Sequence, residues 1–142
     1  MKKIILLLFI VFINCNSEKP TQFSDEAYKE MLIGLDGSKT TLREVLYYKK
    51  GQKILIDVWA SWCKDCIVGF PKIKELQKEF PDVVFLFLSV DRGNPSWQRA
   101  IEKYNLVGEH YNLPDGMDDG EFVNFINLNW IARYMVIDET GE

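Results

Sequence analysis

The sequence is poor in metal ligands, in clustered charge of one sign and in long apolar runs. It has one histidine, His110, and three cysteines, which do not supply the four ligands and second cysteine pair of a structural zinc site. Its 17 basic and 21 acidic residues give a net charge of −4, with no basic cluster beyond pairs such as Lys49 and Lys50. No GxGxxG nucleotide motif occurs. A zinc site, a nucleic-acid partner and a bound cofactor are therefore not expected.

Length and composition indicate one globular domain with a short appendage. The chain has 142 residues, of which 47% are hydrophobic and 27% are charged. A domain of this size buries roughly two-thirds of its unfolded surface, so it does not need disulfides or metals to fold.

The N-terminus has the pattern of a targeting signal. Lys2 and Lys3 precede an apolar stretch at residues 4–13, which is too short to cross a bilayer, and Cys15 follows with a polar segment after it. This arrangement resembles a bacterial lipoprotein signal, which implies removal of residues 1–14, a lipid on Cys15, and a tether over residues 15–31 that anchors the protein to a membrane. An uncleaved signal anchor or a buried N-terminal strand is the alternative.

Cys63 and Cys66 stand two residues apart where a predicted strand, residues 54–60, leads into a predicted helix, residues 63–80. The N-terminus of a helix favours a thiolate on the first cysteine. The short spacing lets Cys66 attack a mixed disulfide that Cys63 has formed. The pair therefore indicates thiol–disulfide exchange, with Cys63 as nucleophile and Cys66 as resolving residue.

The hydrophobic pattern predicts alternating strands and helices, hence parallel strands joined by right-handed crossovers. The last strand could run antiparallel. Asp36 and Gly37 predict a hairpin turn, and Pro71 should kink its helix. Besides the two elements around the cysteines, the predicted strands are residues 83–90 and 134–137, and the predicted helices are residues 42–48, one beginning at Asn94 and Pro95, and residues 121–126.

Four further side chains bear on the site. Asp57 lies in the buried strand before the cysteines, where desolvation should raise its pKa into a range useful for proton transfer; a structural, hydrogen-bonded carboxylate is the alternative. Trp62 should flank the exposed sulfur and offer apolar surface to a substrate. Trp59 is expected in the core behind the motif, and His110 in an exposed loop.

With these features, the chain resembles the thioredoxin superfamily. Within it, the chain resembles the envelope thiol–disulfide oxidoreductases of the TlpA and ResA type, especially lipoprotein versions from Bacteroidota. The motifs that carry the resemblance are residues 57–63 (DVWASWC), Cys66, Pro71, residues 85–91 (FLFLSVD) and residues 130–138 (WIARYMVID).

The resemblance implies a thioredoxin-like three-layer α/β sandwich with a central mixed sheet over residues 32–142. It implies an enzyme that reduces protein disulfides in the cell envelope, facing the periplasm or the surface, with electrons from an upstream dithiol protein. Asp57 would deprotonate Cys66. The backbone at Ile131 and Ala132 would contact the substrate chain.

Three positions depart from the family pattern. Ala132 stands where the family usually has a cis-proline, so the Ile131–Ala132 bond is expected to be trans, with a loosened loop and weakened activity. Gly69 stands where many envelope members have glutamate. The family domain continues beyond the turn at which this chain stops, at Glu142, so the domain is expected to be incomplete at its C-terminus and only marginally stable.

Other interpretations stay open beside the reductase. The cysteines could be buried and inert, or the domain could be a binding module on a lipid tether without catalysis. A thiol peroxidase is the other enzyme to weigh, but it needs a threonine and an arginine around a lone cysteine, which this motif lacks.

Overall fold

The computed structural model describes residues 20–93 and 95–142. Within these residues, no helix is both long and apolar enough to cross a membrane. In chain order the elements are α1 (Asp25–Tyr28), β1 (Met31–Gly34), β2 (Lys39–Thr41), α2 (Leu42–Tyr47), β3 (Ile54–Trp59), α3 (Lys64–Glu79), β4 (Val84–Ser89), α4 (Ser96–Tyr104), β5 (Glu109–Asn112), α5 (Glu121–Phe125) and β6 (Arg133–Ile137).

The strands form one mixed sheet in the order β2-β1-β5-β4-β3-β6. β3 pairs in parallel with β4, and β4 in parallel with β5, whereas β6 runs antiparallel to β3. The other pairings, β1 with β2 and with β5, are antiparallel. The strands predicted around the cysteine motif are thus confirmed, and the last strand takes the antiparallel course that the sequence left open.

Two helices cover the face of the sheet that carries the cysteines. The two parallel crossovers have the same hand and direction, which places α3 and α4 on one face. Phe70 of α3 contacts Trp59 of β3 and Tyr104 of α4, with ring centroids 5.5 Å apart in both pairs. The Lys74 Nζ also donates to the Tyr104 carbonyl oxygen at 2.6 Å. The helix that begins at the cysteines therefore packs against both the sheet and α4.

The other face is covered by α1, α2 and α5, of which α1 contacts both of the others. The Phe23 ring packs edge-on against Phe122 at 5.5 Å, and the Glu30 carboxylate accepts the Phe122 backbone N–H at 2.8 Å. These contacts lie within the predicted tether, residues 15–31, so the packed part of the chain begins earlier than residue 32. A one-turn helix capped by Ser24 is too short to show a hydrophobic period.

The helix ends follow local capping chemistry. Thr41 and Glu44 form a reciprocal capping box that begins α2. The helix α3 continues through Pro71, which lacks the N–H for one helical hydrogen bond. Pro95 is the N-cap of α4 rather than its first residue, and Asn94, the other half of the predicted start, lies outside the described residues.

His110 corrects one prediction from the sequence. It is buried in β5, where its ring stacks on Phe87 at 4.8 Å and its Nε2 lies 3.1 Å from the Leu106 carbonyl oxygen. The sequence placed it in an exposed loop because the segment EHYN is polar and lacks the apolar run of a buried strand. Hydrogen bonds from the side chains of this strand to neighbouring backbone atoms compensate for the burial of their polar groups.

Candidate active site

A disulfide joins Cys63 and Cys66 at the N-terminus of α3, with Cα atoms 5.3 Å apart. Cys63 is the N-cap, and its Sγ accepts the Cys66 backbone N–H at 3.1 Å. Cys63 is 6% exposed and Cys66 is 1% exposed, so the first sulfur is the more accessible, as predicted. A thiolate at Cys63 would face the positive end of the helix and the N–H groups of its first turn.

Asp57 lies on the face of β3 that is covered by α3, the helix that begins at this pair. It shares that face with Trp59, because side chains two residues apart in a strand point the same way. The residue is 1% exposed, and neither carboxylate oxygen has a hydrogen-bond partner within residues 20–93 and 95–142. Burial raises the pKa of Asp57 to about 7, which confirms the expected direction.

The two tryptophans of the motif occupy opposite environments. Trp59 is completely buried against Phe70, which confirms its predicted place in the core. Trp62 is 62% exposed beside Cys63. An exposed indole next to a reactive sulfur offers apolar surface to an approaching chain, so substrate contact by Trp62 stays a prediction.

Ile131 and Ala132 correct a second prediction from the sequence. The bond between them is cis, not trans. Both side chains are half-buried against the core that includes the two cysteines. The prediction weighed only the intrinsic preference of a non-proline bond. Beside this bond, Arg133 lies 4.2 Å from the Trp130 ring and donates from Nη1 to the Ile126 carbonyl oxygen at 3.2 Å.

Asp91 belongs to the site, although the sequence analysis gave it no role. It is buried at the end of β4, and its carboxylate accepts the Ser61 backbone N–H at 2.8 Å, the Ser61 hydroxyl at 2.5 Å and the Ser89 hydroxyl at 2.8 Å. Asn112 donates to the Asp91 carbonyl oxygen at 2.9 Å. The signal that could have found it is an acid directly after a buried parallel strand, where such side chains meet at the sheet edge.

A groove of about 570 Å³ opens beside the motif. Ser61, Trp62 and Met117 are among the residues that line it. Arg92 and Asp118 also line it and form an exposed ion pair, with Nη2 and Oδ2 2.5 Å apart. The groove thus combines apolar side chains with charge of both signs next to the cysteines.

The remaining site predictions have different outcomes. Cys15, its predicted lipid and the signal at residues 1–14 lie outside the described residues. In residues 20–93 and 95–142, no group of three or more histidine, cysteine, aspartate or glutamate side chains could hold a metal ion. Gly69 lies in α3, one turn after Cys66, where an added Cβ would lie 3.2 Å from the Tyr134 hydroxyl oxygen.

The chain is similar to known proteins in sequence and in fold. The family model described as Thioredoxin-like matches residues 51–142. The thioredoxin-like protein YneN of Bacillus subtilis is 32% identical over 77 residues, which are 51% of this chain and 43% of that protein. The thiol-disulfide oxidoreductase ResA of Bacillus cereus is 22% identical over 130 residues, which are 89% of this chain and 70% of that protein.

A solved structure shares the fold. A thiol-disulfide oxidoreductase from Bacteroides fragilis superposes with a TM-score of 0.67 at 23% identity, covering 79% of this chain and 82% of that one. The fold described above is therefore shared with a solved structure, and the region that the family model matches includes β3 and the cysteine pair.

Proposed function

The chain belongs to the thioredoxin-like family, with thiol–disulfide oxidoreductases among its relatives, and from this premise we propose that it reduces protein disulfides in the cell envelope. One observation carries the proposal. A disulfide of two cysteines stands at the N-terminus of α3, and the strand face that this helix covers carries a buried carboxylate whose pKa lies near neutrality. This combination supplies a nucleophile, a resolving thiol and a proton acceptor in one place.

The reduced enzyme would act in two steps. The Cys63 thiolate attacks one sulfur of the client disulfide, forms a mixed disulfide and releases the other sulfur as a thiolate, which takes up a proton. The Cys66 thiol then gives its proton to Asp57 and attacks the Cys63 sulfur. This restores the Cys63–Cys66 disulfide and releases the second client thiolate, which is also protonated. The client gains two electrons, and the enzyme loses two.

Substrate contact would come from the surface around Cys63. Trp62 offers an exposed indole, and the backbone at Ile131 and Ala132 would pair with the client chain. The groove beside Ser61 and Trp62 gives room for a client side chain. Protein disulfides in partly unfolded clients suit such a surface better than a small disulfide, because apolar contact area grows with the chain that binds.

Electrons would come from an upstream dithiol protein, because the sequence has no nucleotide motif of its own. The envelope is the proposed location, and Cys15 is the proposed lipid anchor. The signal-like N-terminus supports both. The cysteine pair fits the envelope, since disulfides persist in oxidising compartments.

Turnover with insulin and a dithiol donor tests the function. Wild type should reduce insulin faster than the donor alone. Cys63→Ser should abolish turnover, while Cys66→Ser should trap a mixed disulfide at Cys63. A wild-type protein that is no faster than the double serine variant would leave a binding domain as the function.

The reduction potential of the pair tests the direction of electron flow. A value near roughly −270 mV fits a reductase, whereas a value near roughly −120 mV fits an oxidant. A value of the second kind would reverse the proposed direction while leaving the exchange chemistry intact.

A further inference from the structure

Tyr134 lies directly opposite Asp57 in the sheet. The two residues are partners in the antiparallel register of β6 with β3, so their side chains leave the same face, which α3 covers. On that helix, a Cβ added to Gly69 would lie 3.2 Å from the Tyr134 hydroxyl oxygen. The phenol therefore reaches from the strand to the helix and uses the space that the missing side chain of Gly69 leaves.

The two groups also interact electrostatically. Burial, and then the charge of Asp57, raise the pKa of Tyr134 to about 12. Burial alone raises the pKa of Asp57. Cys63, the N-cap of α3, and Cys66 are joined as a disulfide here and do not titrate in this form.

Among the described residues, the positions directly opposite Asp57 on the two neighbouring strands carry no charge. The residue of β4 opposite Asp57 is Phe87, which is apolar. On β6 the neighbouring charge is Arg133, whose guanidinium is directed to Trp130 and to the Ile126 carbonyl oxygen. In the described part of the chain, Asp57 is the charged group that acts on the Tyr134 phenol.

The proposed reaction leaves a proton to be moved. Asp57 can take the Cys66 thiol proton only as a carboxylate, so a proton that it already holds must pass to solvent before Cys66 attacks the mixed disulfide. Asp57 is almost completely buried, whereas Tyr134 is 45% exposed. A phenol hydroxyl donates one hydrogen bond and accepts others, so it can pass a proton on without becoming charged.

We propose that Tyr134 is a positioning residue for the resolving step and that its hydroxyl carries the proton between Asp57 and solvent. The inference rests on the proposed function. The protonated Asp57 gives its proton to the phenol oxygen while the phenol proton passes to solvent, so Asp57 returns to the carboxylate and Tyr134 stays neutral. The two side chains make no direct hydrogen bond in the disulfide form. The proton therefore passes after one of these two side chains rotates, or it passes through one bridging water molecule. Both are ordinary routes for proton transfer.

Tyr134→Phe tests the proposal because it removes only the hydroxyl. The probe is the chromogenic disulfide dithiobis(nitrobenzoate), mixed with the reduced protein in a stopped-flow instrument, with Cys15→Ser in every variant. The first coloured thiolate reports attack by Cys63, and the second reports resolution by Cys66. The rates are followed from about pH 5 to about pH 9, a range that brackets the titration of Asp57.

We expect Tyr134→Phe to leave the first phase unchanged, to slow the second phase roughly tenfold and to alter its pH profile. Gly69→Ala, which crowds the hydroxyl but keeps it, should slow the second phase less. Tyr47→Phe, the same chemical change at an exposed position on α2, should alter neither phase.

Two results would overturn the proposal in distinguishable ways. If wild type shows both phases and Tyr134→Phe matches it in rate and pH profile, the relay is wrong and the proposed function stands. If wild type lacks the second phase, Cys66 does not resolve the mixed disulfide, and both proposals are wrong. Near-ultraviolet circular dichroism of each variant checks that a slow phase does not come from misfolding.

Discussion

Asp91 holds the backbone of Ser61 in place from the end of the neighbouring strand. The Ser61 N–H donates to the carboxylate at 2.8 Å, and the Ser61 hydroxyl donates to its other oxygen at 2.5 Å. Ser61 directly precedes Trp62 and Cys63. The carboxylate therefore fixes the stretch of backbone that presents both the exposed indole and the nucleophilic sulfur, although it lies outside the cysteine motif itself.

We expect Asp91→Asn to lower the free energy of unfolding of the oxidised protein by about 1–3 kcal/mol, measured by urea titration. The amide has one acceptor oxygen where the carboxylate has two, and its NH₂ group would face the donors of Ser61. Asp118→Asn is the matched control, because Asp118 is exposed and pairs with Arg92 at the surface, where an ion pair contributes up to about 1 kcal/mol. Equal losses in the two variants would contradict a special role for Asp91.

The two thiols of the reduced protein should differ in reactivity. We expect iodoacetamide to modify Cys63 first, because it is the more exposed cysteine and its sulfur faces the start of α3. Trypsin cleavage after Lys64 separates the two cysteines into different peptides, so mass spectrometry can follow each one. Faster labelling of Cys66 would reverse the assignment of nucleophile and resolving residue.

The N-terminal signal can be tested on the mature protein. We expect Cys15 to become the first residue and to carry acyl chains, because a cysteine directly follows the short apolar stretch. The intact mass of the membrane-extracted protein should show the loss of residues 1–14 and added lipid. Cys15→Ser should release the protein from the membrane fraction. A product that still carries Met1 would contradict the lipoprotein signal.

The sequence predicted the parts of this fold that depend on residues close together in the chain. The strand and helix around the cysteines have strong apolar patterns, and the position of Cys63 at a helix start follows from that boundary alone. The pKa direction of Asp57 was likewise predictable, because a lone acid in a fully apolar strand must be desolvated.

The predictions that failed depend on contacts distant in sequence. His110 is buried because β5 pairs with β4, which no local pattern in a polar segment reveals. The Ile131–Ala132 bond was judged by its residue type alone, which gives the intrinsic preference of an isolated peptide bond and not the isomer of the folded chain. The opposition of Asp57 and Tyr134 depends on the register of β6, which only the folded chain defines.

The last prediction concerns the stability cost of Asp57. Its pKa is raised from 3.8 to about 7 in the folded state, so the folded protein holds this proton more tightly than the unfolded chain does. The contribution of this proton to the free energy of unfolding is fully present below about pH 4 and is lost as the pH rises to about 7. The loss is on the order of 4 kcal/mol. A neutral amide avoids this cost, so Asp57→Asn should match wild type near pH 4 and exceed it in unfolding free energy above pH 7. Urea titrations of both oxidised proteins across this range measure the difference, in which the contributions of all other groups cancel. A difference that stays constant with pH would show that Asp57 is charged and compensated in the folded protein.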